Sequence, residues 1–184
     1  MIDLKVIKQA VDVVQAGGII AYPTESVFGL GCDPDNQQAV EKLLAIKQRD
    51  AAKGLILIAS HVQQILPLIQ PIDALDLARA LKTWPGHYTW VFPKTKQVSA
   101  LVSGKFDTIA VRVSKHPIVK ELCDKLNKPL VSTSANRSNH TEFSSIKQIK
   151  ACFNDKIDFY LDAELGKNAK PSTIIDAHTQ EIFR

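Results

Sequence analysis

At 184 residues the chain is long enough to bury a sizeable core unaided and short enough to suggest one domain over 1–184. Its 45% hydrophobic and 23% charged residues are ordinary for a globular protein and exclude a disordered or fibrous chain. A net charge of +4 is compatible with polyanionic partners without indicating one, and three cysteines far apart match neither a disulfide scaffold nor a Cys/His zinc site.

Leu4, Ile7, Ala10, Val11 and Val14 recur at helical spacing, with Asp3 placed to cap and Gly17-Gly18 to terminate. The charge within this pattern argues against a signal peptide, and with lone, reduced cysteines the expected location is cytoplasmic. Ile19 to Tyr22 is a short apolar strand stopped by Pro23. Asn36 opens a helix with Val40, Leu43, Leu44 and the stem of Lys47 on one face. A strand over 55–59 and a helix opened by Ser60 follow, then a helix over 71–81. Strands are expected at 88–92 and 109–113, a helix from Pro117 to Leu126, and a strand over 130–133. Ser144-Ser145 caps a helix to about Phe153, and strands over 157–161, 173–176 and 181–183 complete the pattern. Interleaved helices and strands, with successive strands near the end, predict a single domain of α/β or α+β class with a mixed sheet.

Four strand-to-loop junctions carry dense polar groups. Tyr22-Pro23-Thr24-Glu25-Ser26 runs into Phe28-Gly29-Leu30-Gly31, which reads as a glycine-containing loop or a tight turn capped by Thr24. Lys47-Gln48-Arg49 places two cations that would diverge on a continuous helix; taken alone they read as a solvated helix end. They face one anion only if the helix ends near Lys47, which Asp50 and Gly54 permit. Ser132-Thr133-Ser134-Ala135-Asn136 leaves a strand, where hydroxyls and an amide can meet a ligand or simply cap a turn. Pro171-Ser172-Thr173 lies at another strand edge, and Arg112, inside the apolar strand Ile109-Ala110-Val111-Arg112-Val113, requires an anionic or carbonyl partner. The Walker-type phosphate loop is absent, and Pro34 spoils a G-x-G-x-x-G at Gly29 and Gly31. No nucleophile–base pair stands out, and His61, His87, His116, His140 and His178 read as surface or cap residues. An enzyme built this way would work by positioning and charge stabilisation.

The blocks AYPTESVFGLGCDP, KQRDAAKGLIL, WPGHYTWVF, AVRVSKHP, PLVSTSAN and PSTIID, in this order, resemble the YrdC/TsaC family over nearly the whole chain. The resemblance implies a single-domain α/β fold, a twisted mixed sheet with flanking helices around a concave basic cavity. It implies a threonylcarbamoyl-AMP synthase, a nucleotidyltransferase converting L-threonine, bicarbonate or CO2, and ATP into threonylcarbamoyl-AMP and pyrophosphate. The product serves partner transferase proteins that modify the adenosine next to the anticodon of tRNAs reading ANN codons. It further implies that Lys47, Arg49, Ser134 and Asn136 hold the ATP phosphates, and that Thr24, Arg112 and Ser172 meet the threonine and carbamate. Mg2+ is expected to travel with ATP, with no metal held by protein side chains. The chain departs from the usual family pattern at Asp50, Gly54, His87-Tyr88, Ser114 and Asn139. The alternative is a tRNA- or double-stranded-RNA-binding module without ATP turnover, whose mark would be aromatics alternating with cations on strands.

Overall fold

In the computed structural model, which describes residues 3–137, 143–167 and 170–184, helix α1 (Leu4–Gln15) starts where Asp3 accepts a hydrogen bond from the Lys5 amide. It buries Ile7, Ala10, Val11 and Val14 as its periodicity predicts, while Leu4, expected on the same face, is exposed in the first turn. Helix α2 (Gln37–Lys47) is capped by Asn36, and α3 (Ala74–Thr83) by a reciprocal pair, Asp73 and Asp76. Short α4 (Ala100–Ser103), α5 (Pro117–Leu126) and α6 (Ile146–Phe153) complete the set.

The eight strands are β1 (Ile20–Pro23), β2 (Phe28–Cys32), β3 (Ile56–Ala59), β4 (Tyr88–Pro93), β5 (Thr108–Val113), β6 (Leu130–Ser134), β7 (Phe159–Tyr160) and β8 (Thr173–Asp176). They form one mixed sheet in the order β7-β1-β2-β6-β3-β5-β4-β8. β1/β7, β3/β5 and β4/β8 are parallel, and the remaining neighbours antiparallel. The expected α/β class with a mixed sheet is therefore the observed one.

The two faces of the sheet are treated differently. One face sends Phe28, Leu30, Leu57, Trp90, Phe92, Ile109, Val111 and Val131 into the larger core, with Leu43 of α2, Ala80 of α3 and Ile149 of α6. On the other face Ile20, Tyr22, Ile58 and Leu130 pack against α1 and α5 through Ile7, Val11, Ile118 and Leu122. Those two helices cover that face over β1 and as far as Ile58 of β3. Over Ile56 of β3 and over β5, β4 and β8 it stays open, and alternation along each strand presents Ile56, Ala110, Arg112, Thr89, Val91 and Ile174 to the opening.

Several expectations fail locally. Phe28-Gly29-Leu30-Gly31 is a strand, because Phe28, Leu30 and Cys32 alternate into the core while the glycines let the Tyr22 ring lie across β2. The helix expected after Ser60 is two short 3-10 turns, Val62–Gln64 and Leu66–Leu68. There Pro67 cannot extend an α-helix, and Gln64 turns inward to bond Ser60 and the Cys123 carbonyl. Only Phe159–Tyr160 of the strand expected over 157–161 joins the sheet, and 181–183 contributes one bridge, Ile175 to Ile182. Helix α4 was not anticipated. Asn139 and His140 lie outside the described residues.

Candidate active site

The open face of the sheet is the floor of a cavity of about 630 Å³. Ile56, Ile58, Val91, Ala110 and Ile174 make it apolar; Ser132, Ser134, Thr89 and Ser172 bring hydroxyls to it; Arg49, Lys53, Arg112 and Arg184 bring charge.

One end is built by the termination of α2. Gln48 adopts the left-handed conformation (φ 50), so the helix stops at Lys47 and the following residues turn away from its axis. Arg49 then donates through Nε and Nη2 to the Gly54 carbonyl at 3.2 and 2.8 Å and lines the cavity. Burial draws its pKa down, opposed by the neighbouring Asp50 carboxylate. Gly54 itself sits at φ +63, where a side chain would also strike the Ser103 carbonyl, so this departure from the family pattern suits its backbone. Lys47 behaves differently. It is buried, does not line the cavity, and donates to the carbonyls of Ser134 and Asn136 (2.7 Å to the latter) and to Asn136 Oδ1 at 3.1 Å. Ser134 Oγ donates to the same Oδ1 at 2.8 Å, while the Ala135 amide continues the ladder to the Phe28 carbonyl. The Lys-x-Arg and Ser-x-Asn segments are thus brought together. Arg49 and Ser134 reach the cavity; Lys47 and Asn136 lie behind it as one hydrogen-bonded unit.

The other end centres on Arg112. Its Nε donates to the Gly86 carbonyl at 3.1 Å, and Nη2 meets His87 Nδ1 at 3.0 Å and Glu25 Oε2 at 2.5 Å. Glu25 is buried in the β1–β2 turn and also accepts from Ser114 Oγ at 2.8 Å and the Lys115 amide at 3.1 Å. Burial pushes the Glu25 carboxyl up, but the Arg112 charge and these hydrogen bonds outweigh it and hold the group below the usual carboxylate range. The anionic partner demanded by Arg112 is therefore internal, and its fork is already partly committed. Thr24 donates its hydroxyl to the Val27 carbonyl at 2.6 Å, so it caps the turn while lining the cavity. Gly166 packs on that turn, donating to the Thr24 carbonyl at 2.9 Å, where a side chain would collide with the Glu25 backbone. Ser172 Oγ pairs with Thr89 Oγ1 at 2.8 Å, both buried. Strand β4 separates Ser172 from Arg112, yet both line the cavity.

Thr89 escaped the sequence reading, whereas Glu25, Ser132 and His87 were named in it without a partner or a place in the site. Glu25 stood in the quoted turn beside Thr24, and an arginine in an apolar strand signals a buried carboxylate somewhere. Ser132 is oriented by the buried Tyr22, whose hydroxyl donates to its Oγ at 2.8 Å, a pairing no local pattern announces. His116 is buried rather than superficial: burial lowers its pKa, and its Nδ1 has no hydrogen-bond partner among the described residues. The only carboxylate lining the cavity, among the described residues, is Asp176, whose Oδ1 accepts from the amides of His178 and Thr179. That donor set fits a cation carried in on a ligand's phosphates better than one held by the protein. Asp73, Asp76 and His178 gather within 4.8 Å at the start of α3, away from the cavity, where the Asp76 carboxylate serves the Ile72 and Asp73 amides and Arg79.

The chain is 49% identical over 188 residues to a protein of Pseudoalteromonas translucida named threonylcarbamoyl-AMP synthase, covering 100% of both chains. It is 48% identical over 180 residues to one of that name from Vibrio vulnificus, covering 97% of each. Sua5 of P. abyssi, in a crystal structure complexed with L-threonine, matches with a TM-score of 0.90 at 31% identity. That match covers 96% of this chain and 52% of the other, so the chain spans about half the length of that protein. Residues 12–184 match the family model Sua5/YciO/YrdC, described as telomere recombination. Sheet order, open cavity and sequence agree, and the chain belongs to the Sua5/YciO/YrdC family.

Proposed function

We propose that the chain is an L-threonylcarbamoyladenylate synthase, a nucleotidyltransferase forming threonylcarbamoyl-AMP and pyrophosphate from L-threonine, bicarbonate or CO2, and ATP. The observation that carries this reading is the division of one cavity into two cationic ends over an apolar floor. Arg49 holds the carbonyl of Gly54, and Arg112 lies across from Ile58 in the parallel β3/β5 pair. Four extended residues separate those points, about 13 Å at roughly 3.3 Å per residue. A triphosphate at the first end and an amino-acid carboxylate at the second leave the threonine amine and the α-phosphate over the floor between them.

Arg49, Lys53 and the Ser134 hydroxyl are assigned to the phosphates. Lys47 and Asn136 keep the Ser134 turn in place, and the Lys47 charge adds to the positive field behind it. Arg112 offers Nη1 to the threonine carboxylate, and Thr24 and Ser172 line the carbamate side. The amine nitrogen attacks the carbon of CO2 and loses a proton, giving a carbamate. A carbamate oxygen then attacks the α-phosphorus, and the bond to the oxygen bridging to the β-phosphate breaks, releasing pyrophosphate. Two anions must approach, so cations lower the repulsion; no protein nucleophile is required. Mg2+ carried by ATP would neutralise phosphate charge on the leaving group. The product would pass to transferase proteins acting on tRNA, in keeping with a cytoplasmic location.

Pyrophosphate release is expected to require L-threonine, bicarbonate and Mg2+ together. Equal release with glycine in place of threonine would sink the substrate assignment.

A further inference from the structure

We propose that His87 is a positioning residue for the amino-acid substrate: its Nδ1 fixes the Arg112 guanidinium while its Nε2 ties that group to the cavity wall at Lys170. The inference rests on the threonine and ATP reading of the cavity. Arginine can only donate, so at 3.0 Å from Arg112 Nη2 the His87 Nδ1 is an acceptor. The Lys170 carbonyl can only accept, so at 2.6 Å His87 Nε2 is a donor. Together these define a neutral ring with its proton on Nε2 and both nitrogens used.

The consequence for Arg112 is geometric. Gly86 takes the N–H on Nε and His87 one of the two on Nη2, while Glu25 Oε2 lies against Nη2 as an ion pair at 2.5 Å. The guanidinium is planar, so fixing Nε and Nη2 aims the pair on Nη1. Among the described residues Nη1 has no protein acceptor, and Arg112 lines the cavity. Without His87 the group keeps Glu25 and Gly86 but loses the bond that stops it pivoting between them. The Lys170 side of the bridge matters because Pro171 and Ser172, which follow it, line the same cavity. One ring thereby holds the carboxylate donor in register with the Ser172 and Thr89 hydroxyls. His87 is half-buried, so replacing it opens no large void in either core.

Three variants separate the two nitrogens. His87→Leu removes both contacts and is expected to raise the KM for L-threonine about tenfold, with the KM for ATP held within about twofold. The Oδ1 of His87→Asn stands where Nδ1 stood, and that variant is expected to recover most of the threonine affinity. His87→Gln places an amide near Nε2 but gives Arg112 no acceptor at the Nδ1 position, and is expected to resemble His87→Leu. Unchanged threonine KM in His87→Leu, an equal rise in both constants, or recovery by His87→Gln in place of His87→Asn would overturn the proposal. A readout independent of turnover is the tautomer: 15N–1H NMR of histidine-labelled protein is expected to show His87 protonated at Nε2 alone, and a proton on Nδ1 would overturn the bridge. Absence of threonine-dependent pyrophosphate release in the unmodified protein would instead refute the functional reading, leaving the tautomer result to stand on its own.

Discussion

Lys47 and Arg49 are two positions apart, and the structure gives them different surroundings. Arg49 lines the cavity, so Arg49→Ala is expected to cost about 1.5–3 kcal/mol of phosphate binding, one to two decades in ATP affinity or rate, with little change in melting temperature. Lys47→Ala instead strips a donor from the Ser134 and Asn136 carbonyls in a buried place, at about 1–3 kcal/mol for each acceptor left unpaired. Melting temperature and activity are then expected to fall together; a selective rise in ATP KM at unchanged stability would make Lys47 a direct phosphate ligand. The chain pattern grouped both cations with the Ser-x-Asn segment, and the two segments do lie together. It did not separate them, because which side of a turn faces a cavity depends on the left-handed Gln48 and on β6, distant in sequence. Glu25 adds a pH dependence. Its folded-state pKa lies below the ordinary glutamate value of about 4.3, so its contribution is complete above that pH and is lost as pH falls through the lower folded value. Glu25→Gln is expected to weaken the protein at neutral pH, since it leaves the Arg112 charge buried without its partner, and to flatten the acid limb of the stability curve. Chemical denaturation of both proteins from neutral pH to pH 3 measures this; an unchanged acid limb would remove Glu25 from that role.

At the level of elements, long periodic segments were legible and glycine-rich or proline-broken ones were not. Helices α1 and α5 followed their apolar periods because each packs one stripe on the sheet. Strand β2 was missed since Gly29 and Gly31 suggest a loop, although Phe28, Leu30 and Cys32 carry the two-residue period of a strand. The glycines are there for a neighbour: a side chain at Gly31 would lie 2.8 Å from the Tyr22 ring and 2.7 Å from the Val131 carbonyl. Gly31→Ala must therefore displace Tyr22, whose hydroxyl orients Ser132 in the cavity. Overpacking of this kind costs about 1–3 kcal/mol. A lower denaturation midpoint with reduced activity is expected, and full stability in Gly31→Ala would show that β2 has room for a side chain beside Tyr22.

For the whole molecule, the decisive feature is that α1 and α5 cover one side of a sheet face and leave the rest open to a ligand. Topology of this sort was only partly readable: the alternation of elements gave a mixed sheet and left α/β and α+β both open, whereas the strand order, and with it the cavity, depends on pairings such as β2/β6 and β4/β8 between distant segments. A ligand seated there touches β2, β6, β3, β5, β4 and β8 at once, so its binding energy is linked to global unfolding rather than to one loop. At 100 times its dissociation constant a ligand adds about 2.7 kcal/mol to stability. At roughly 2–4 °C per kcal/mol for a chain of this size, ATP with Mg2+ is expected to raise the melting temperature by about 5–10 °C. L-Threonine is expected to add a separate increment, since the two cationic ends can be filled together. Arg49→Ala should diminish the ATP increment and retain that from threonine, and His87→Leu should do the reverse. The RNA-binding alternative gives another pattern, in which a short RNA duplex raises the melting temperature at low salt and ATP does not. Thermal melts of the three proteins against ATP, threonine and duplex RNA distinguish the two; stabilisation by RNA alone would replace the enzyme with the binding module.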